Sequence, residues 1–166
     1  EIIRNSIGYT HANVKICATH AGITVGEDGA THQTFEDIAL MRTIPGMTVI
    51  NPSDGISTAK LLEKAMEIDG PCYVRLGRSA VPVFYDESAD FEIGRGKTVR
   101  EGSDVTVIAT GIMVNEAVMA ADELKKQNID VRVIDIHTIK PIDRDIIIKA
   151  AKETGAVVTA EEHSVI

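Results

Sequence analysis

Met47-Thr48-Val49-Ile50-Asn51-Pro52-Ser53-Asp54-Gly55-Ile56 decides the fold. Its first four residues form a short apolar run of the kind seen in buried parallel strands, and Asn51-Pro52 ends that run. Ser53 or Asp54 then supplies a side-chain cap for a helix whose apolar positions Ile56, Ala59, Leu62 and Met66 recur every three or four residues. A strand that turns directly into a capped helix is one half of a strand–helix–strand unit.

The alternation extends in both directions. Residues 14–18 read as a strand and 34–42 as a helix; past 47–50, residues 55–68 read as a helix and 72–76 as a strand. Between Val81 and Asp90 the periodicity disappears around a proline and several acidic residues. It resumes with an extended stretch at 92–99, a strand at 105–109, a helix at 114–127, a strand at 131–136, a helix at 142–153 and an apolar, buried-looking strand at 156–160. Crossovers of this length join parallel strands. The expected fold class is therefore α/β, with two incomplete three-layer parallel-sheet domains at 1–80 and 100–166 joined by a linker and extended segment at 81–99. Glu1 to Asn5 read like the interior of a helix and only six residues follow the last strand, so the chain is expected to start and stop inside elements.

Composition narrows the function. The 166 residues are 44% hydrophobic and 25% charged, with no apolar stretch near the roughly 20 residues that span a membrane, so a soluble protein is expected. Net charge is −8 and the 17 Lys and Arg are scattered, which argues against nucleic acid as a partner. The two cysteines have no metal-ligand spacing and the amino terminus carries no signal-like segment, so the expected compartment is cytoplasmic.

Chemistry concentrates in Thr19-His20-Ala21-Gly22-Ile23-Thr24-Val25-Gly26-Glu27-Asp28-Gly29-Ala30-Thr31-His32-Gln33. The segment follows a strand and opens toward a helix, and ligands of open parallel sheets bind outside the carboxyl ends of strands. Gly22, Gly26 and Gly29 let the backbone bend and approach a ligand, while two histidines and two carboxylates supply proton donors and acceptors. A glycine-rich polar loop is often only a loop, and spacing alone does not decide between the two readings.

The segment resembles the pyrimidine-binding domain of transketolases through His20, Gly26-Glu27-Asp28-Gly29, Thr31-His32-Gln33, Met41-Arg42, Pro45-Gly46-Met47 and Asn51-Pro52-Ser53-Asp54. Thr110-Gly111 and Asp135-Ile136-His137-Thr138-Ile139-Lys140-Pro141 resemble the carboxy-terminal domain of the same family. The resemblance spans essentially the whole chain. It implies a transferase of the pentose phosphate pathway, moving a two-carbon ketol unit between sugar phosphates with thiamine diphosphate and a divalent metal such as Mg. It further implies that His20 contacts the substrate phosphate, Asp28 a sugar hydroxyl and His32 the reacting carbons, and that Arg78 is the phosphate-binding arginine whereas Arg75 is not. In the family, the glutamate and aromatics that contact the aminopyrimidine precede this segment, and the diphosphate and metal are held elsewhere or by a separate subunit. No cofactor-binding residue is assigned here, and the chain alone is expected to be inactive, working within a homo- or hetero-oligomer. Two alternatives remain: a 1-deoxyxylulose-5-phosphate synthase-like enzyme, and a non-catalytic assembly or binding module.

Other reactive-looking residues have plainer roles. His11 sits at a helix exit, and His137 and His163 follow strands of the second half, where structural or interfacial roles are expected. Glu161 and Glu162 are neighbours at a strand end and should point apart. Asp143, Arg144 and Asp145 are read as a helix start, and Cys17 and Cys72 as inert core residues.

Overall fold

The computed structural model describes residues 1–165. Strands are β1 (Lys15–Ala18), β2 (Thr48–Ile50), β3 (Cys72–Arg75), β4 (Lys97–Arg100), β5 (Val105–Ala109), β6 (Val131–Asp135), β7 (Thr138–Lys140) and β8 (Val157–Ala160). The α-helices are α1 (Asp37–Thr43), α2 (Gly55–Glu67), α3 (Met113–Lys125) and α4 (Arg144–Glu153), and Ile3–Gly8 winds as a short π-helix. No helix among the described residues is long and apolar enough to cross a membrane.

Two four-stranded sheets result, ordered β1-β3-β2-β7 and β4-β6-β5-β8. Their centres are parallel, as the crossovers require, and each adds one antiparallel edge, β7 on β2 and β4 on β6. β7 lies in the second half of the chain but completes the sheet of the first half. Alternate residues of each strand face opposite sides, so the sheets are coated twice. Ile50 and Val74 pack with Leu61 and Ala65 of α2, whereas Val49 and Tyr73 face a core shared with Ile38 of α1, Ile134 of β6 and Ala150 of α4. Val131 and Val133 face the other way, onto Val114, Ala117 and Ala121 of α3. The order of layers is thus α2, first sheet, shared core, second sheet, α3.

The decisive turn folds as its residues dictate. Asp54 caps α2 by accepting from the backbone N–H of Ser57 at 2.7 Å, and Ser57 Oγ answers to the N–H of Asp54 at 2.9 Å. The other Asp54 oxygen accepts the N–H groups of Phe84 and Tyr85 at 3.1 and 3.0 Å, so the cap also anchors the aperiodic segment. Tyr85 of that segment and Phe91 just after it are buried. Asp143 caps α4 by accepting from Asp145 and Ile146.

Several local expectations are corrected. Helix α1 starts at Asp37 rather than residue 34. Cys72 is buried, but Cys17 is exposed because β1 is an edge strand. The apolar β8 is also an edge, and Val157 and Val158 are exposed rather than buried.

Candidate functional site

The site is built on neighbouring strand ends. β1 and β3 are parallel with Ala18 opposite Arg75, and the pairing continues outward: Leu76 N–H donates to Ala18 O at 2.9 Å and Ala21 N–H to Leu76 O at 3.2 Å. His20 and Arg78 therefore leave the same carboxyl rim from strands about 4.8 Å apart. His20 takes a left-handed backbone, φ +67°, and is exposed, with Nδ1 3.0 Å from Thr19 Oγ1. Below the rim a cavity of about 420 Å³ is lined by Thr19, Pro52, Ser53, Gly77, Ser79 and Ile112 among others.

The glycine loop closes on itself. Gly22 N–H donates to Thr34 O at 2.9 Å and Thr34 N–H to Gly22 O at 3.3 Å, so residues 22–34 form a loop pinned at its base. Gly26–Thr31 winds as a 3-10 helix broken at Gly29, whose φ of +68° and ψ of −166° are accessible to glycine and strained for other residues. Just before the break, Asp28 meets Arg78, with Oδ2 3.6 Å from Nε and both side chains about two fifths exposed. His32 is exposed at the far end of the loop, its Nδ1 2.9 Å from Thr31 Oγ1.

The structure thus joins two of the four expected site residues directly, Asp28 and Arg78, and puts His20 on the strand end beside Arg78. No hydrogen bond among the described residues ties His32 to the other three; loop 22–34 alone links it to them. An ion pair this exposed contributes about 1 kcal/mol or less, so it orients Arg78 without consuming it.

Beneath the rim lies a buried ionic cluster that sequence reasoning did not find. Arg75, 3% exposed, donates through Nε to Asp37 Oδ2 at 2.8 Å and through Nη2 to Asp37 Oδ1 at 3.4 Å and the Glu162 carbonyl at 3.0 Å. Glu162 Oε2 is 3.7 Å from Arg75 Nη1, and Tyr73 OH donates to Asp37 Oδ2 at 2.7 Å. Burial raises the Asp37 carboxyl, but the hydrogen bonds and charge of Arg75 together with the Tyr73 hydroxyl outweigh it and hold the group below the usual carboxylate range. The one signal available was an arginine inside an otherwise apolar strand. Glu161 and Glu162 do diverge: the first is exposed and the second buried.

A second buried group crosses the seam between the halves. Asp135, at the end of β6, accepts from Ser53 Oγ at 2.6 Å and Tyr85 OH at 3.0 Å, both on Oδ2. Its Oδ1 has no hydrogen-bond partner among the described residues. Burial pushes its carboxyl up to about 7. His137, packed edge-on against Phe91, is pushed down to about 4 by burial. Among the described residues no three His, Cys, Asp or Glu side chains gather in a way that could hold a metal ion.

Two stacked α/β sheets, with His20 and Arg78 at neighbouring strand exits and a histidine-bearing loop beside them, define an open parallel-sheet α/β protein whose candidate site lies at the carboxyl ends of its strands. Residues 1–83 match the transketolase pyrimidine-binding domain model and residues 94–166 the transketolase C-terminal domain model. The chain belongs to the transketolase family. It is 51% identical to a Methanocaldococcus jannaschii protein provisionally named transketolase C-terminal section, over all of this chain and 52% of that one. A 6-deoxy-6-sulfo-D-fructose transketolase subunit of a Clostridium species is 44% identical over 97% of this chain and 50% of its own length. A solved split-gene transketolase, described as an inactive β4 tetramer, superposes with a TM-score of 0.92 at 53% identity, covering 99% of this chain and 53% of that one. The chain spans about half the length of these relatives.

Proposed function

We propose that this chain is one side of a transketolase, holding the anionic end and hydroxyls of a sugar while a two-carbon ketol unit moves between sugars. The observation that carries this is the rim itself: Arg78 beside His20 at adjacent strand ends, with Asp28 3.6 Å from Arg78 on a loop closed by Gly22 and Thr34. A guanidinium takes a terminal phosphate through two parallel N–H donors, and a ring N–H of His20 adds a further hydrogen bond. Asp28 accepts from a sugar hydroxyl. His32 takes and returns protons at the oxygens of the reacting carbons.

Thiamine diphosphate, when bound, supplies the carbon nucleophile and the electron sink for the transfer. The resemblance to transketolases assigns the diphosphate and its divalent metal to a partner segment or subunit. The tetramer of the related split enzyme is described as inactive, which supports an oligomeric chain that gains activity only with that partner. The Clostridium relative is named for a sulfonated sugar, which fits a pocket that grips a terminal anion of either kind. Its name and that of the split enzyme favour ketol transfer over the synthase alternative.

The test mixes the full-length chain with its diphosphate-binding partner, thiamine diphosphate and magnesium. Ketol transfer from xylulose 5-phosphate or another anionic ketose is expected. No transfer from any ketose donor, in a correctly folded complex, contradicts the reading.

A further inference from the structure

We infer that Glu162 is a positioning residue by which the second half of the chain sets the shape of loop 22–34 in the first. Glu162 stands two residues beyond β8, yet its carboxylate lies against Gly22: a Cβ added there would meet the carboxylate at 2.1 Å. Gly22 also has φ +92°, so both the space and the backbone at this position are reserved for glycine.

The grip falls on Thr24. Glu162 Oε1 accepts the Thr24 N–H at 2.8 Å, while Ser79 Oγ, next to Arg78, donates to the Thr24 carbonyl at 3.2 Å. The backbone that leads to Asp28 and His32 is thereby held from the second sheet on one side and from the β3 exit on the other. Glu162 is itself fixed through Arg75, which binds its carbonyl and faces its carboxylate, and Arg75 is forked onto Asp37 of α1. A carboxylate with 5% of its side chain exposed cannot drift without leaving the Thr24 N–H unpaired and giving up its own contact with Arg75. The site residues on the rim are exposed and weakly tied, so the position of the loop depends on this buried contact.

The consequence for turnover rests on the transketolase reading, whereas the clamp itself does not. In the full-length chain bound to its partner, amide hydrogen exchange across 22–34 and steady-state kinetics with a phosphorylated ketose are measured together. Glu162→Ala is expected to speed exchange of the loop amides by about tenfold or more while those of β5 and β6 stay unchanged. It should also lower kcat/KM by a similar factor. Glu162→Gln keeps an acceptor for Thr24 and is expected to restore loop exchange to within about threefold of the parent chain. Glu162→Asp keeps the charge for Arg75 but falls one methylene short of Thr24, and is expected to behave like the alanine variant; it replaces that variant should the alanine chain fail to fold.

Unchanged loop exchange in Glu162→Ala or Glu162→Asp overturns the clamp, as does a glutamine variant as loose as the other two. If the parent complex transfers no ketol unit, the functional reading fails while the exchange arm still decides the clamp. If the parent is active and loop exchange does not respond, only the clamp fails.

Discussion

The rim of the site and the seam beneath it use the same side chains under opposite conditions. On the rim, Asp28 and Arg78 meet at 3.6 Å with about two fifths of each in water. A few residues deeper, Asp37 and Arg75 meet at 2.8 Å with 13% and 3% exposed. Water screens the first pair, so a ligand anion can replace a carboxylate oxygen at little cost. The second pair has no such substitute: its charges are kept out of water and each relies on the others. Arg78 can serve binding because it is loosely held, and Arg75 can serve positioning because it is not.

The largest difference should appear on deleting one member of each pair. Arg75→Ala leaves Asp37 and Glu162 buried without their counter-charge and is expected to lower stability by about 3–5 kcal/mol. Asp28→Ala should cost about 1 kcal/mol or less. Urea unfolding of the full-length chain measures both, and equal losses would erase the distinction between rim and seam.

His32→Ala comes next. It removes an exposed ring bonded only to Thr31, so turnover in the assembled enzyme should fall by about 10²–10⁴-fold with an unchanged unfolding midpoint. Turnover at the parent rate removes His32 from the chemistry.

A smaller effect separates two buried groups of the seam by pH. Asp135 titrates near 7 in the fold, above the ordinary value of about 3.9, so the native state binds the extra proton and stability falls as pH rises from about 4 to 7. His137 titrates near 4, below its ordinary value of about 6.5, so the native state excludes a proton and stability rises from about pH 4 to 6.5. The slopes oppose and nearly cancel. Between pH 4.5 and 6.5, Asp135→Asn should therefore gain stability with rising pH, and His137→Phe should lose it, each by up to about 1.4 kcal/mol per pH unit. Flat profiles in both variants would contradict these assignments.

Local signals made most of the elements legible. The Asn51-Pro52 stop and the Asp54 cap fixed the strand-to-helix turn, and the apolar runs of β2, β5 and β6 were long enough to read. What escaped is non-local. Thr138-Ile139-Lys140 is too short to show a period, and it becomes β7 only by pairing with β2 about ninety residues earlier in the chain. The run at β8 announces an apolar strand but not its neighbours, and as an edge it stays exposed. Likewise Arg75 and Glu162 look like ordinary charges until folding brings them together. The candidate loop was visible because glycines, histidines and carboxylates crowd a strand exit. Its support came from positions 37, 75 and 162, and no local pattern connects those.

The most direct test of the account is the Michaelis constant of Arg78→Ala in the assembled enzyme, measured with a phosphorylated ketose and with its unphosphorylated counterpart. Loss of a charge-assisted bond of about 1.5–3 kcal/mol predicts a rise of about tenfold or more for the phosphorylated donor and little change for the other. An equal rise for both donors would contradict an anion-binding rim at His20 and Arg78.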